Sequence, residues 1–358
     1  MKLPRLTILA TLLLTGPAAA QLQITPPATI PSPPAEKQKP KPPPAAKKKE
    51  AAPKPSASPK PAASPKPALP ATVIPAPATD TPGVDLVFGA YQRGQYKTAF
   101  DLAKARAATG DAKAMTMLGE LYSNAMGIRR DYAKALEWYK RASDAGDREA
   151  MFAQAMLRMS GRGGPVDKSE AVKLMASSAK LGEPKAAYNL ALLYLDGQTL
   201  PQDVKRSAEL LRQAADAGLP EAQYALATFY KEGTGVPKDP EKAVRLLQAA
   251  SLADNIDAEV EYAIALFNGT GTPKNHPAAV ALLRKASRQG SAIAQNRLAW
   301  VLINGMGTNV DKVEGFKWHL VAKTSGKGDP ELDKQFSDLP ADDRSKAEAA
   351  ARKWLGTK

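Results

Sequence analysis

Alanine recurs at a constant step of 36 residues along this 358-residue chain, at Ala114, Ala150, Ala186, Ala222, Ala258 and Ala294. Other columns keep the same step. A glycine column runs through Gly161, Gly197, Gly233, Gly269 and Gly305. An acidic or amide column runs through Asp131, Asp167, Asp203, Asp239, Asn275 and Asp311. A third column reads Trp138, Leu174, Leu210, Leu246, Leu282 and Trp318. A period between about 20 and 50 residues marks a stack of like units, each too small to bury a core alone. Such an array presents a surface far more often than it performs chemistry.

The unit beginning at Ala222 shows the construction. Ala222, Leu226, Ala227 and Tyr230 share one face at helical spacing. Gly233-Thr234-Gly235-Val236-Pro237 interrupts the helix, because glycine accepts positive φ and proline cannot continue the hydrogen-bonded turn. Asp239 suits an N-cap and Pro240 a first helical position, so a second helix restarts there. Ala243, Leu246, Leu247 and Ala250 line its inner face. Each unit is thus predicted to be a helical hairpin. Gly146, Gly182, Gly218, Gly290 and Gly326 stand where the second helix should stop, as a left-handed C-terminal cap requires. The fourth unit has Asp254-Asn255 in that place and is predicted to make a looser junction. The third unit lacks the second loop glycine and has Thr199-Leu200-Pro201, so a different loop is expected there.

These columns resemble the Sel-1-like repeat, a relative of the tetratricopeptide repeat. The first-helix pattern is carried by Ala114, Leu118, Gly119 and Tyr122, and the loop by Gly233, Gly235, Val236 and Asp239. Lys134-Ala135, Trp138-Tyr139 and Ala142 carry the second-helix pattern. Six units are expected over residues 114–329. A tetratricopeptide-like capping hairpin is expected over 83–113, and a capping helix and tail over 330–358. In that last segment Ala347, Ala350 and Trp354 would cover the open end of the stack. The resemblance implies an all-α, right-handed superhelical solenoid whose first helices line a concave groove. It also implies protein–protein contacts, in bacteria often within the envelope. One branch of the family carries cysteine pairs and is linked to penicillin binding; this chain has no cysteine.

Two segments precede the array. Residues 1–20 have the parts of a secretory signal: Lys2 and Arg5, an apolar run from Leu6 to Leu14, and Ala18-Ala19-Ala20 as a cleavage site. Cleavage after Ala20 would place the chain in the periplasm, and an uncleaved signal would anchor it to the inner membrane. The later sequence contains no stretch long and apolar enough for a spanning helix. Residues 21–82 hold nineteen of the 31 prolines and no aromatic residue, and are read as a disordered linker. Within them Pro53-Lys54-Pro55, Pro59-Lys60-Pro61 and Pro65-Lys66-Pro67 form a small repeat. Fully extended as polyproline II, the segment would reach about 190 Å. With nine lysines against three acidic residues it carries +6 of the chain's +14. That charge suits weak contact with an anionic wall or membrane surface. Nucleic acid is not the expected partner, because neither a basic stripe on folded structure nor interleaved aromatics accompanies the charge.

No catalytic residue, cofactor or metal site is expected. Only two histidines occur, and His276 lies at a loop-to-helix junction. His319 falls in the column of Tyr139, Leu211, Leu247 and Leu283, which is a packing column. The Gly-x-Gly loops recur at the repeat period, so they are turns between helices and not phosphate loops. The expected site is the groove. The tetratricopeptide-like register puts Phe152, Tyr188 and Tyr224 in one groove column, and Met156, Leu192, Ile264 and Trp300 in a second. The expected function is an exported, non-enzymatic adaptor that binds an envelope protein there, in complex assembly or signalling regulation. Two alternatives are a wall- or polysaccharide-associated structural protein positioned by its Lys-Pro linker, and a wall-active hydrolase.

Overall fold

The computed structural model describes residues 85–356, which form 16 helices and, among the described residues, no strand. The expected signal, the Pro-rich segment and the first two residues of the expected capping hairpin lie outside the described residues. The chain opens with α1 (Leu86–Gln92) and α2 (Tyr96–Ala108). Then come α3 (Ala112–Asn124) with α4 (Tyr132–Asp144), and α5 (Arg148–Ser160) with α6 (Lys168–Lys180). The next pairs are α7 (Pro184–Asp196) with α8 (Val204–Asp216), and α9 (Pro220–Glu232) with α10 (Pro240–Leu252). The last are α11 (Ile256–Asn268) with α12 (His276–Arg288), and α13 (Ala292–Asn304) with α14 (Lys312–Thr324). The chain ends with α15 (Pro330–Ser337) and α16 (Ala341–Gly356). From α1 to α14 each helix packs on its neighbours in sequence, so the layers stack in chain order, while the final helix α16 packs on α14.

Local chemistry sets the helix boundaries. The acidic column caps every second helix: Asp131, Asp167, Asp203, Asp239, Asn275 and Asp311 each accept from the backbone N–H three residues on, at 2.9–3.1 Å. The backbone N–H of each also returns to the first helix, as from Asp239 to Tyr230 O at 2.9 Å. That closure survives in the third unit, where Asp203 N–H bonds Tyr194 O at 3.0 Å although no second loop glycine is present. Elsewhere the second loop glycine is needed for close approach. A Cβ on Gly235 would lie 2.6 Å from Val204 O, at the start of the preceding unit's second helix. Gly163, Gly271 and Gly307 meet the preceding unit in the same way. These glycines are therefore packing contacts between layers as well as turns.

The junction after α10 differs from the expectation in detail. Asp254 itself adopts the left-handed conformation, at φ 59°, while Asn255 is the N-cap of α11 and accepts from Ala258 N at 2.9 Å. The Lys285 ammonium joins Asp254 at 2.6 Å and reaches the fully buried carboxylate of Glu259. At this level one core cluster, built from Phe152 to Ala258, gives way to another that begins at Val260.

Side-chain size is matched between the two helices of a hairpin. Five units place alanine at Ala155, Ala191, Ala227, Ala263 and Ala299, all buried. The first has Gly119, where a Cβ would stand 2.6 Å from the Tyr139 ring, the largest side chain of its column. His319, in that same column, is fully buried and bonds Asp333 of α15 through Nε2 at 2.9 Å. The C-terminal end holds two helices where the sequence reads one. Leu332 of α15 and Ala347 and Ala351 of α16 are buried against the last hairpin, and Trp354 meets Trp318 edge-on at 5.1 Å. Ala350, expected on that face, is only half-buried; the face runs through Ala347 and Ala351, one helical turn apart.

Candidate partner-binding face

The two expected groove columns lie four residues apart on each first helix, so they share a face. Contacts between successive first helices confirm their adjacency. Tyr91 of α1 donates to Glu120 of α3 at 3.0 Å, and Lys231 of α9 pairs with Glu261 of α11 at 3.0 Å. Along this face the structure separates positions that the sequence treats alike.

At the N-terminal end the columns are used internally. Thr116 bonds Asp147, the cap of α5, at 3.1 Å. Burial raises the Glu120 carboxyl above its ordinary value, against the hydrogen bond from Tyr91. Phe152 and Met156, expected in the groove, are 7% and 5% exposed and pack into the core, which leaves them little surface to offer a partner. Val260 is likewise buried. At the C-terminal end Asn296 donates to Lys327 O at 3.2 Å, and the Trp300 indole to Asp329 at 2.9 Å. The segment leading into α15 thus lies against the last unit, and half-buried Trp300 serves the C-terminal cap.

What stays open is the middle. Tyr188 and Leu192 of α7, Tyr224 of α9 and Ile264 of α11 are all half-buried. Both tyrosine rings rest against the core, yet neither hydroxyl has a hydrogen-bond partner among the described residues. Burial, with Glu221 beside it, raises the Tyr188 phenol above its ordinary value. Burial, with Asp257 and Glu261 beside it, pushes the Tyr224 phenol up to about 12. A phenol is a protonated donor at neutral pH even at its ordinary value, so both hydroxyls can donate. Glu221 and Asp257 are exposed and make no ion pair among the described residues, whereas Glu261 is paired with Lys231. The stretch is a row of two aromatic rings with free donors, flanked by free carboxylates. Sequence reasoning found the rings but missed Glu221 and Asp257, which recur one position before Ala222 and Ala258.

Elsewhere, chemistry-bearing side chains serve the fold. His276 stacks on Phe267 at 4.5 Å and bonds its carbonyl through Nε2 at 3.1 Å. Among the described residues no cluster of three metal-ligating side chains occurs, and no helix is long and apolar enough to cross a membrane. An open pocket of about 480 Å³ lies between α10 and the loop after α11, where Arg245 faces Glu241 at 3.9 Å. It gathers no nucleophile with a base.

Stacked, individually capped hairpins with a half-buried aromatic face define an α-solenoid of the protein-interaction class. The Sel1 repeat family matches residues 112–147, 148–183, 184–219, 220–255, 256–291 and 292–326, well over half of the chain. The chain belongs to the Sel1 repeat family, whose members are generally protein-interaction scaffolds. Several solved structures share the fold. One is c5321, a protective antigen of uropathogenic Escherichia coli with an SLR fold, at 24% identity and a TM-score of 0.64. That match covers 72% of this chain but only 56% of the other. Another is a Sel1 repeat protein from Oxalobacter formigenes, at 23% identity and a TM-score of 0.56, covering 66% of this chain and 94% of the other. Comparison with curated proteins finds no match.

Proposed function

We propose that this protein is an exported, non-enzymatic adaptor that binds an envelope protein on the Tyr188–Tyr224 face. The observation that carries this reading is the pair of half-buried tyrosines whose hydroxyls the fold leaves unused. Tyrosine combines apolar contact area with a directed donor, as binding hot spots require, and here the fold itself spends neither hydroxyl. Leu192 and Ile264 add apolar area beside them. Export is supported by the basic start, short apolar run and Ala18-Ala19-Ala20 of the first twenty residues.

Affinity capture from envelope extract with the full-length chain tests the reading. One protein should be retained by the wild type and lost with Tyr188→Ala plus Tyr224→Ala, at unchanged helicity by circular dichroism. Retention of the same protein by the folded double variant would move the interface elsewhere.

A further inference from the structure

We infer that the face has an occupant within this same chain: the Pro–Lys hexads of residues 53–67 dock across Tyr188 and Tyr224. The inference rests on the reading of that face as a binding surface and names what regulates it.

Three observations converge. The first is chemical. Proline-rich extended segments dock on grooves lined by aromatic rings, with prolines packed on the rings and backbone carbonyls accepting from ring hydroxyls. Tyr188 and Tyr224 offer two half-buried rings and two hydroxyls without a partner among the described residues. The second is charge. Residues 53–67 carry Lys54, Lys60 and Lys66 and no acidic residue, and the face carries Glu221 and Asp257 without ion pairs among the described residues. Lys185 stands at the α7 end of the face and repels a lysine placed there, which directs the segment's charges toward α9 and α11. The third is reach. One hexad extended spans about 19 Å, and packed neighbouring helices lie about 10 Å apart, so one hexad covers both tyrosines. From residue 67 to the start of the described chain at residue 85, seventeen intervening residues extend to about 53 Å. The path from α1 to α9 crosses four first-helix steps, about 40 Å. The segment reaches the face with length to spare. A partner then competes with the segment, and its apparent affinity falls by the fraction of chains whose face is vacant.

The chain has no cysteine, so a pair of introduced cysteines reports proximity without background. The full-length chain carrying Ser58→Cys and Asn189→Cys is oxidised mildly, and the in-chain disulfide is timed on non-reducing gels. Asn189 lies beside Tyr188 on α7; the control pair replaces it with Ser177→Cys, exposed on the second helix α6. The expected result is in-chain closure at least tenfold faster for the Asn189 pair. Adding Glu221→Lys and Asp257→Lys, both at exposed positions, should bring the rate down to the control. Equal rates for the two pairs, indifference to charge reversal, or disulfides formed only between chains would each overturn the inference. The assay needs no outside protein, so the two readings fail separately. Fast closure with no tyrosine-dependent partner would sink the adaptor reading alone, and tyrosine-dependent capture with equal closure rates would sink this one alone.

Discussion

Ala125 closes α3 with φ at 59°, in the column where Gly161, Gly197, Gly233, Gly269 and Gly305 adopt φ of 65° to 79°. A side chain in the left-handed region costs about 1–2 kcal/mol, part of which glycine returns through the greater entropy of its unfolded chain. Ala125→Gly should therefore raise stability by about 0.5–1 kcal/mol in chemical denaturation; a loss would mean that the methyl group is packed more usefully than its exposure indicates. The alanine metronome is explained at the same scale. Ala150, Ala186, Ala222, Ala258 and Ala294 are completely buried, and close packing leaves little room for a larger side chain there.

Helix ends were the most legible elements, because one side chain in one place settles each of them. Asp131, Asp167, Asp203, Asp239, Asn275 and Asp311 announce their role in sequence and perform it. The first-helix caps Asp111, Asp147 and Asn255 escaped notice because Glu183, Leu219 and Ser291 break the column's chemistry. Helix α15 escaped because its eight residues include only Leu332 as a fully buried anchor. It is held as well by contacts that sequence spacing does not display: Phe336 packs on Phe316 at 5.3 Å, and Asp333 accepts from Lys323 at 2.7 Å and bonds His319 Nε2 at 2.9 Å. Those two partners, Lys323 first, keep the Asp333 carboxyl below its ordinary value. A value depressed on folding stabilises above the unfolded value, near 4, and that contribution is lost as pH falls through the folded one. Acid should thus loosen the C-terminal cap from about pH 4 downward, read as a change in tryptophan emission from the Trp318–Trp354 pair. Asp333→Asn should flatten that part of the titration; an unchanged acid profile would assign the loss to other carboxylates.

For the whole molecule, the period alone implied a stack of hairpins and their order, since like units bury their faces only against one another. The site was legible only in part. Periodicity places Phe152, Tyr188 and Tyr224 in one column, but burial depends on what the neighbouring unit brings, and that is not periodic. The ends of the array close over Glu120 and Trp300 through Tyr91 and Asp329, which belong to the capping segments. In the middle units the Tyr188 and Tyr224 rings stand beside Glu221 and Asp257. Protein binding by this middle stretch would rest on its two tyrosines. The most direct test titrates the protein captured by the wild type against wild-type and Tyr188→Ala/Tyr224→Ala chains by calorimetry. Two hot-spot tyrosines at more than about 1 kcal/mol each predict an affinity at least about 30-fold weaker for the folded double variant. Equal affinity in the two would place protein binding away from these tyrosines.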